Sequence, residues 1–196
     1  MPINPPLILA SSSPRRLALL RQAGIEPARL EAPQIDEAPA PRELPRDHAL
    51  RLAQAKNAAI VARLGAEPAF VVAADTVVAC GRRILPKTTL AADAERCLRL
   101  LSGRRHRVYT GVVVSGPGKH AERVVMTAVR FKRLHDDELA WYLAGGEWHG
   151  KAGGYAIQGR AEAFVASING SWSNVVGLPL AVTLDLLRGL GWRPAP

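Results

Sequence analysis

Cysteine is scarce in this 196-residue chain: Cys80 and Cys97 are the only two. Two thiols are too few for a disulfide framework or a zinc site, and they fit a reducing, cytosolic setting. No run of eighteen apolar residues occurs, which excludes a hydrophobic membrane-spanning helix. The N-terminus carries no basic segment followed by an apolar core and a small-residue cleavage site, so secretion is not indicated. The nucleophile-elbow pattern G-x-S-x-G is missing. The five histidines (48, 106, 120, 135, 149) lack metal-ligand spacing, and the four tryptophans are not interleaved with a basic stripe as a single-strand binder would need. No repeat, low-complexity segment or block of five like charges appears. Lysine is also rare, since arginine outnumbers it 21 to 5.

The chain has a net charge of +9 and a pI near 10.4, a balance that favours anionic partners such as nucleotides, nucleic acid or a membrane surface. At 48% hydrophobic it can build one well-buried core, or two lobes sharing one sheet. Against the arginine background, Lys56 and Lys87 stand out.

The most informative stretch is Leu7-Ile-Leu-Ala-Ser-Ser-Ser-Pro-Arg-Arg16, an apolar strand running through three hydroxyls into a helix. Ser13 is placed to cap that helix and Pro14 to occupy its first position. Free N–H groups, the helix dipole, Arg15 and Arg16 then make an anion site, with phosphate the natural anion; an ordinary capped surface helix is the alternative.

The spacing of Leu17, Leu20 and Ala23 carries this first helix to Gly24, and a Pro- and acid-rich loop covers 31–45. A second helix over about 46–64 turns Leu50, Ala53, Asn57, Ile60, Val61 and Leu64 inward, with Lys56 on the shoulder of the stripe. Residues 69–80 read as a central strand covered on both faces, and Gly81–Arg83 as a tight turn. A helix over 91–101, a hairpin of 107–115 and 121–132 around Gly116-Pro117-Gly118, and a helix from Asp136 or Asp137 to Gly145 follow. A glycine-rich loop at 150–154, strands near 155–158 and 163–168, and a helix over 178–190 complete the prediction. The pattern is α/β (mixed α+β) with a mixed sheet.

Asp75 interrupts the apolar run, where a carboxylate needs a cation, a metal or an open cleft; capping a strand-end turn is the alternative. Strand alternation sends Asp75 and Thr76 to opposite faces, so one cleft takes both only where the strand bends or ends. Glu37 is a solvated loop acid or a partner of Asp75 around magnesium or manganese. Arg15, Arg16, Lys56 and Lys87 would serve a polyphosphate. Gly145 to Lys151 spells G-x-x-x-x-G-K, but Ala152 supplies no hydroxyl and Gly153-Gly154 oppose a helix, so a Walker loop is rejected.

Five segments in order resemble the Maf family, nucleoside triphosphate pyrophosphatases first described as septum-formation inhibitors. They are Leu9-Ala-Ser-Ser-Ser-Pro-Arg-Arg16, Ala74-Asp75-Thr76, Leu101-Ser-Gly-Arg-Arg-His-Arg-Val-Tyr-Thr-Gly111, Tyr155-Ala-Ile-Gln-Gly159 and Asn174-Val-Val-Gly-Leu-Pro-Leu180. The resemblance covers residues 7 to about 188 and implies a single domain (1–196) with an elongated mixed sheet, flanking helices, and a cleft between two lobes, as in inosine-triphosphate pyrophosphatases. It implies metal-dependent hydrolysis of a nucleoside triphosphate to monophosphate and pyrophosphate, in a cytoplasmic homodimer with no specific nucleic-acid or membrane partner. By resemblance Asp75 matches the general base, or a ligand of the metal that activates the water; Lys56 and Lys87, with Ser11, Arg15 and Arg16, match phosphate-binding and charge-stabilising positions; Glu37 matches an acid near the metal. Pro86-Lys87-Thr88 departs from the family's usual Gly-Lys-Pro, so the local turn differs.

Members acting on dTTP and UTP resemble this chain in carrying Thr after the Asp and Gln in the Tyr-x-Ile-Gln-Gly segment, here Thr76 and Gln158. Members acting on 7-methyl-GTP carry Gln and Glu there. A Gln158 amide offers the donor and acceptor that match a uracil or thymine carbonyl and N3–H. A sibling specificity, 7-methyl-GTP or broad, is the enzymatic alternative, and a basic nucleic-acid or division-machinery binding protein the non-enzymatic one.

Overall fold

The computed structural model describes residues 5–194. Its centre is one seven-stranded sheet, made because three long apolar runs pair side by side. Strand β1 (Leu7–Ala10) lies parallel to both β2 (Arg29–Leu30) and β3 (Phe70–Cys80). The remaining pairs are antiparallel: β3 with β4 (Arg83–Leu85) and with β6 (Arg105–Gly116), β6 with β7 (Lys119–Phe131), and β7 with β9 (Val165–Asn169). A separate ribbon joins β5 (Lys87–Thr88) to β8 (Lys151–Ala152). The helices are α1 (Pro14–Gln22), α2 (Pro45–Leu64), α3 (Ala91–Leu101), α4 (Asp136–Ala144), α5 (Trp172–Val176) and α6 (Leu180–Gly189). No helix among the described residues is long and apolar enough to cross a membrane.

The sheet separates two apolar layers. On one face Ile8, Ala10, Val71 and Ala73 pack beneath Ile60 of α2. On the other, Leu9, Val72, Ala74, Val112 and Val129 join Leu20, Leu98, Tyr142 and Leu187 from the helices. Helix α2 lies very close to the sheet because Gly111 has no side chain: a Cβ there would sit 2.7 Å from Leu50 Cα. Asn57 secures the contact, donating to the Val71 carbonyl (3.1 Å) and accepting from Ser115 Oγ (2.6 Å).

Several expectations are corrected. Ser13 stands at the N-cap position but its side chain caps nothing; its backbone N–H donates to Ser11 Oγ (3.1 Å). The buried stripe of α2 runs through Pro45, His48, Ala49, Leu52, Ala53, Lys56, Asn57 and Ile60; Val61 is exposed and Lys56 is within the stripe, not on its shoulder. Arg83 begins β4 and does not complete a turn. Residues 155–158 form no strand: Gly153 and Gly154 take left-handed φ values (69° and 72°), and Tyr155–Ile157 are buried in a coil entering a 3-10 helix, Arg160–Phe164. That helix takes the first two residues of the strand expected at 163–168, which begins instead at Val165. The helix expected over 178–190 begins after Pro179, and α5 precedes it as a separate turn.

Candidate active site

The site begins with a break in strand pairing. One edge of β3 is paired to β6 from Val71 to Ala79. On the other edge β1 pairs only with Phe70–Ala73 and β4 only with Val78–Cys80, so Ala74–Val77 face an open gap. Alternation sends Asp75 toward α2 and Thr76 toward α1 and α5, and the gap exposes both to one cleft. The strand need neither bend nor end.

On the α2 side a chain of alternating charge crosses the cleft. Buried Asp75 accepts from Lys56 Nζ at 2.5 Å, and the same ammonium pairs with Glu37 at 2.7 Å. The second oxygen of Glu37 pairs with Lys87. Partial burial pushes the Glu37 carboxyl up, but the hydrogen bonds from Lys56 and Lys87 outweigh it and hold the group down at about 2. The loop bearing Glu37 is itself fastened to α2. Glu43 accepts from Arg51 Nε (2.6 Å), Arg51 Nη2 (2.8 Å) and the Ala40 N–H (2.9 Å) and contacts His48 Nδ1 (2.8 Å), while Arg51 also reaches the Ala38 carbonyl (3.0 Å).

On the α1 side a single cation is held by neutral oxygens. Arg16 donates through Nε to the Gly177 carbonyl (2.8 Å), through Nη1 to Ser11 Oγ (3.1 Å) and through Nη2 to Thr76 Oγ1 (3.3 Å). Thr76 Oγ1 also lies 3.0 Å from Thr110 Oγ1, which donates to the Asn174 carbonyl (3.1 Å). Burial lowers the Arg16 pKa; Asp75 and Glu37 oppose this and Arg15 adds to it.

The cleft between these walls encloses about 300 Å³. Ser11, Arg15, Arg16, Glu37, Lys56, Asp75, Thr76, Lys87 and Gln158 all line it, so the structure brings every candidate residue to one place. The Gln158 side chain is exposed there and makes no hydrogen bond within the described residues. Pattern reading missed Lys151, Tyr155 and the Gly177 carbonyl as parts of the wall, along with the Glu43–Arg51 fastening. For Lys151 a signal existed: in a chain with five lysines, three line this cleft.

Among the described residues, no group of three or more His, Cys, Asp or Glu gathers around a point. Asp75 and Glu37 nonetheless converge on a single ammonium, within reach of one another. Two hard carboxylates fit magnesium or manganese if phosphate oxygens and water complete the shell, the usual arrangement for a metal shared with a nucleotide.

A family model described as "Maf-like protein" matches residues 6–190. Among curated relatives, a protein of Caulobacter vibrioides is 55% identical over 195 residues, covering 99% of this chain and 100% of its own length. One from Maricaulis maris is 58% identical over 190 residues (96% and 90%), and one from a Chelativorans species 57% over 192 (95% and 92%). Each of these relatives is named dTTP/UTP pyrophosphatase. With its model matched from the first strand through the last helix, the chain belongs to the Maf family.

Proposed function

We propose that this chain hydrolyses dTTP and UTP to the monophosphate and pyrophosphate in the cytoplasm, as a homodimer, with magnesium or manganese. The observation that carries the reading is Asp75, a buried carboxylate at the β3 gap that lines the cleft and shares Lys56 with Glu37. It supports a water held at Asp75 and directed at the α-phosphorus. As oxygen attacks, its proton passes to the carboxylate, the bond from phosphorus to the bridging oxygen breaks, and pyrophosphate departs. Lys56, released from its carboxylates as the triphosphate enters, and Lys87 stabilise charge on the phosphoryl oxygens. A divalent ion held by Asp75, Glu37 and the phosphates would supply further charge neutralisation.

The free amide of Gln158 supports pyrimidine choice, since it can present a donor and an acceptor to a carbonyl and N3–H. Thr76 is already hydrogen-bonded to Arg16, so its part in specificity is to shape the wall and fix that guanidinium.

Pyrophosphate release across a nucleoside triphosphate panel, with and without Mg²⁺ or Mn²⁺, tests the reading. Asp75→Asn should fold and lose roughly 10²- to 10⁴-fold in turnover; wild-type rates in that variant would remove Asp75 from the chemistry. Thr76→Gln with Gln158→Glu should move preference toward 7-methyl-GTP, and an unchanged profile would detach base choice from these positions. Sedimentation of the full chain tests the dimer.

A further inference from the structure

Lys151 is the one cleft-lining lysine to which the proposed reaction gives no task. Its place is firmly set. Its backbone pairs with Thr88 in the β5–β8 ribbon, its carbonyl accepts from Thr88 Oγ1 (3.3 Å), and its Nζ donates to the His149 carbonyl (2.9 Å). The turn behind it requires Gly153 and Gly154 in left-handed conformations, and Gly154 lies tightly against Ala94 of α3. A long cation is thus anchored at its root in the cleft wall, with its ammonium held by a single backbone carbonyl.

Across from it stands Arg15, in the first turn of α1, and neither cation is ion-paired within the described residues. Burial lowers the pKa of both, and Arg15 lowers that of Lys151 further. The nearest compensating acid, Glu147, is engaged by Arg160 at 3.7 Å and by the Arg160 N–H at 2.8 Å. Arg16 is not free to serve here, because its guanidinium is spent on Gly177, Ser11 and Thr76. The helix start adds only the N–H of Arg15 itself, since Pro14 has none and those of Arg16 and Leu17 donate to the Ser13 carbonyl.

We propose that Lys151 joins Arg15, whose phosphate-binding position the family resemblance already implies, in a second anion seat that takes the β- and γ-phosphates and holds the outgoing pyrophosphate. The two ends of the cleft differ in charge. The Asp75 end carries carboxylates and suits a reacting phosphorus, with water and a metal nearby. The Lys151 end carries cations alone and suits the more heavily charged part of the triphosphate. The assignment to pyrophosphate rests on the reaction proposed above, whereas the anion seat itself does not.

Calorimetric titration of the full-length chain with inorganic pyrophosphate, and separately with UMP, reads the seat without any turnover. Lys151→Met should weaken pyrophosphate binding by about tenfold or more, roughly one lost charge-assisted contact, and UMP binding less than about twofold. Lys151→Arg should restore pyrophosphate to within about threefold, and in kinetics Lys151→Met should raise KM far more than it lowers kcat. Unchanged pyrophosphate affinity, or equal weakening of UMP, would overturn the proposal. Should Lys151→Met fail to fold, Lys151→Gln against Lys151→Arg makes the same comparison. A wild-type chain that binds pyrophosphate but releases none from any triphosphate would refute the reaction and leave the seat standing; one that binds no pyrophosphate would refute the seat.

Discussion

The two faces of β3 at its unpaired stretch solve different problems with neighbouring residues. Toward α2, Asp75 pairs with Lys56, which pairs in turn with Glu37, and Glu37 with Lys87, so charge is balanced by charge. Toward α1, Thr76 meets an arginine satisfied by two hydroxyls and one carbonyl, with no carboxylate in contact. An alternating-charge chain can exchange partners, because an incoming phosphate can replace a carboxylate on either lysine at modest electrostatic cost. A guanidinium held in three directions by neutral acceptors has nothing to exchange. One face is therefore built to change when substrate arrives and the other to stay as it is. That difference matters more than the number of cations in the cleft.

The largest effect should come from breaking the first face one partner at a time. Lys56→Met leaves Asp75 buried beside a methionine and should cost about 3–5 kcal/mol, read by urea unfolding at neutral pH. Adding Asp75→Asn to it should recover most of that loss, since the pair and not either member is what burial tolerates. Additive losses in the double variant would mean that Lys56 acts mainly through packing of its stem. Next in size is the spacing that holds the two faces apart. Gly111→Ala puts a methyl against the Ala49 carbonyl and Leu50 Cα, so α2 must move outward and carry Lys56 with it. We expect a loss of about 1–3 kcal/mol, with a fall in turnover that exceeds any change at the Thr76 face. Wild-type activity in a stably folded Gly111→Ala protein would show that α2 need not lie so close.

Periodicity was enough to read the long elements, because β3, β6, β7, α2 and α3 each repeat one signal over ten residues or more. Short elements were not legible. β2, β5 and β8 have two residues each, and they exist only because a partner strand lies beside them. Ser13 had the right residue type for a cap, but the hydroxyl that mattered was that of Ser11 two positions earlier, an outcome decided by Arg16 reaching back to it. The conflict between Asp75 and Thr76 was real in one dimension and disappears in two. Strand alternation is a property of the sequence, whereas a gap between β1 and β4 belongs to the sheet. Lys151 falls inside a phosphate-loop pattern that does not hold, because its glycine neighbours serve a tight turn and not a loop around phosphate. Glu37 was visible as an acid in a loop, but the side chains that fasten that loop lie farther along the chain and could not be paired with it by spacing.

Acid should separate the two faces by pH, and this is the most discriminating comparison. His106 lies on the Thr76 side of β6, buried, with Nε2 2.8 Å from Tyr155 Oη, and burial holds it down to about 4. A histidine that stays neutral when folded but titrates near 6.5 when unfolded stabilises the fold above 6.5, and that contribution is lost as pH falls from 6.5 to about 4. Its full extent is of order 3 kcal/mol. On the α2 side, Glu37 and Glu43 are both held down at about 2, Glu37 by its lysines against its own burial and Glu43 chiefly by Arg51. Their contribution is present above the unfolded value near 4.5 and is lost only between there and about 2. Urea midpoints should therefore fall in two steps, and hydrogen exchange should show Tyr155 and its neighbours loosening in the first and residues 36–43 in the second. His106→Gln should remove the first step and leave the second. A single step below pH 4.5 in the unmodified chain would mean that His106 keeps a proton in the fold, and that the Thr76 side is less rigid than its hydrogen bonds imply.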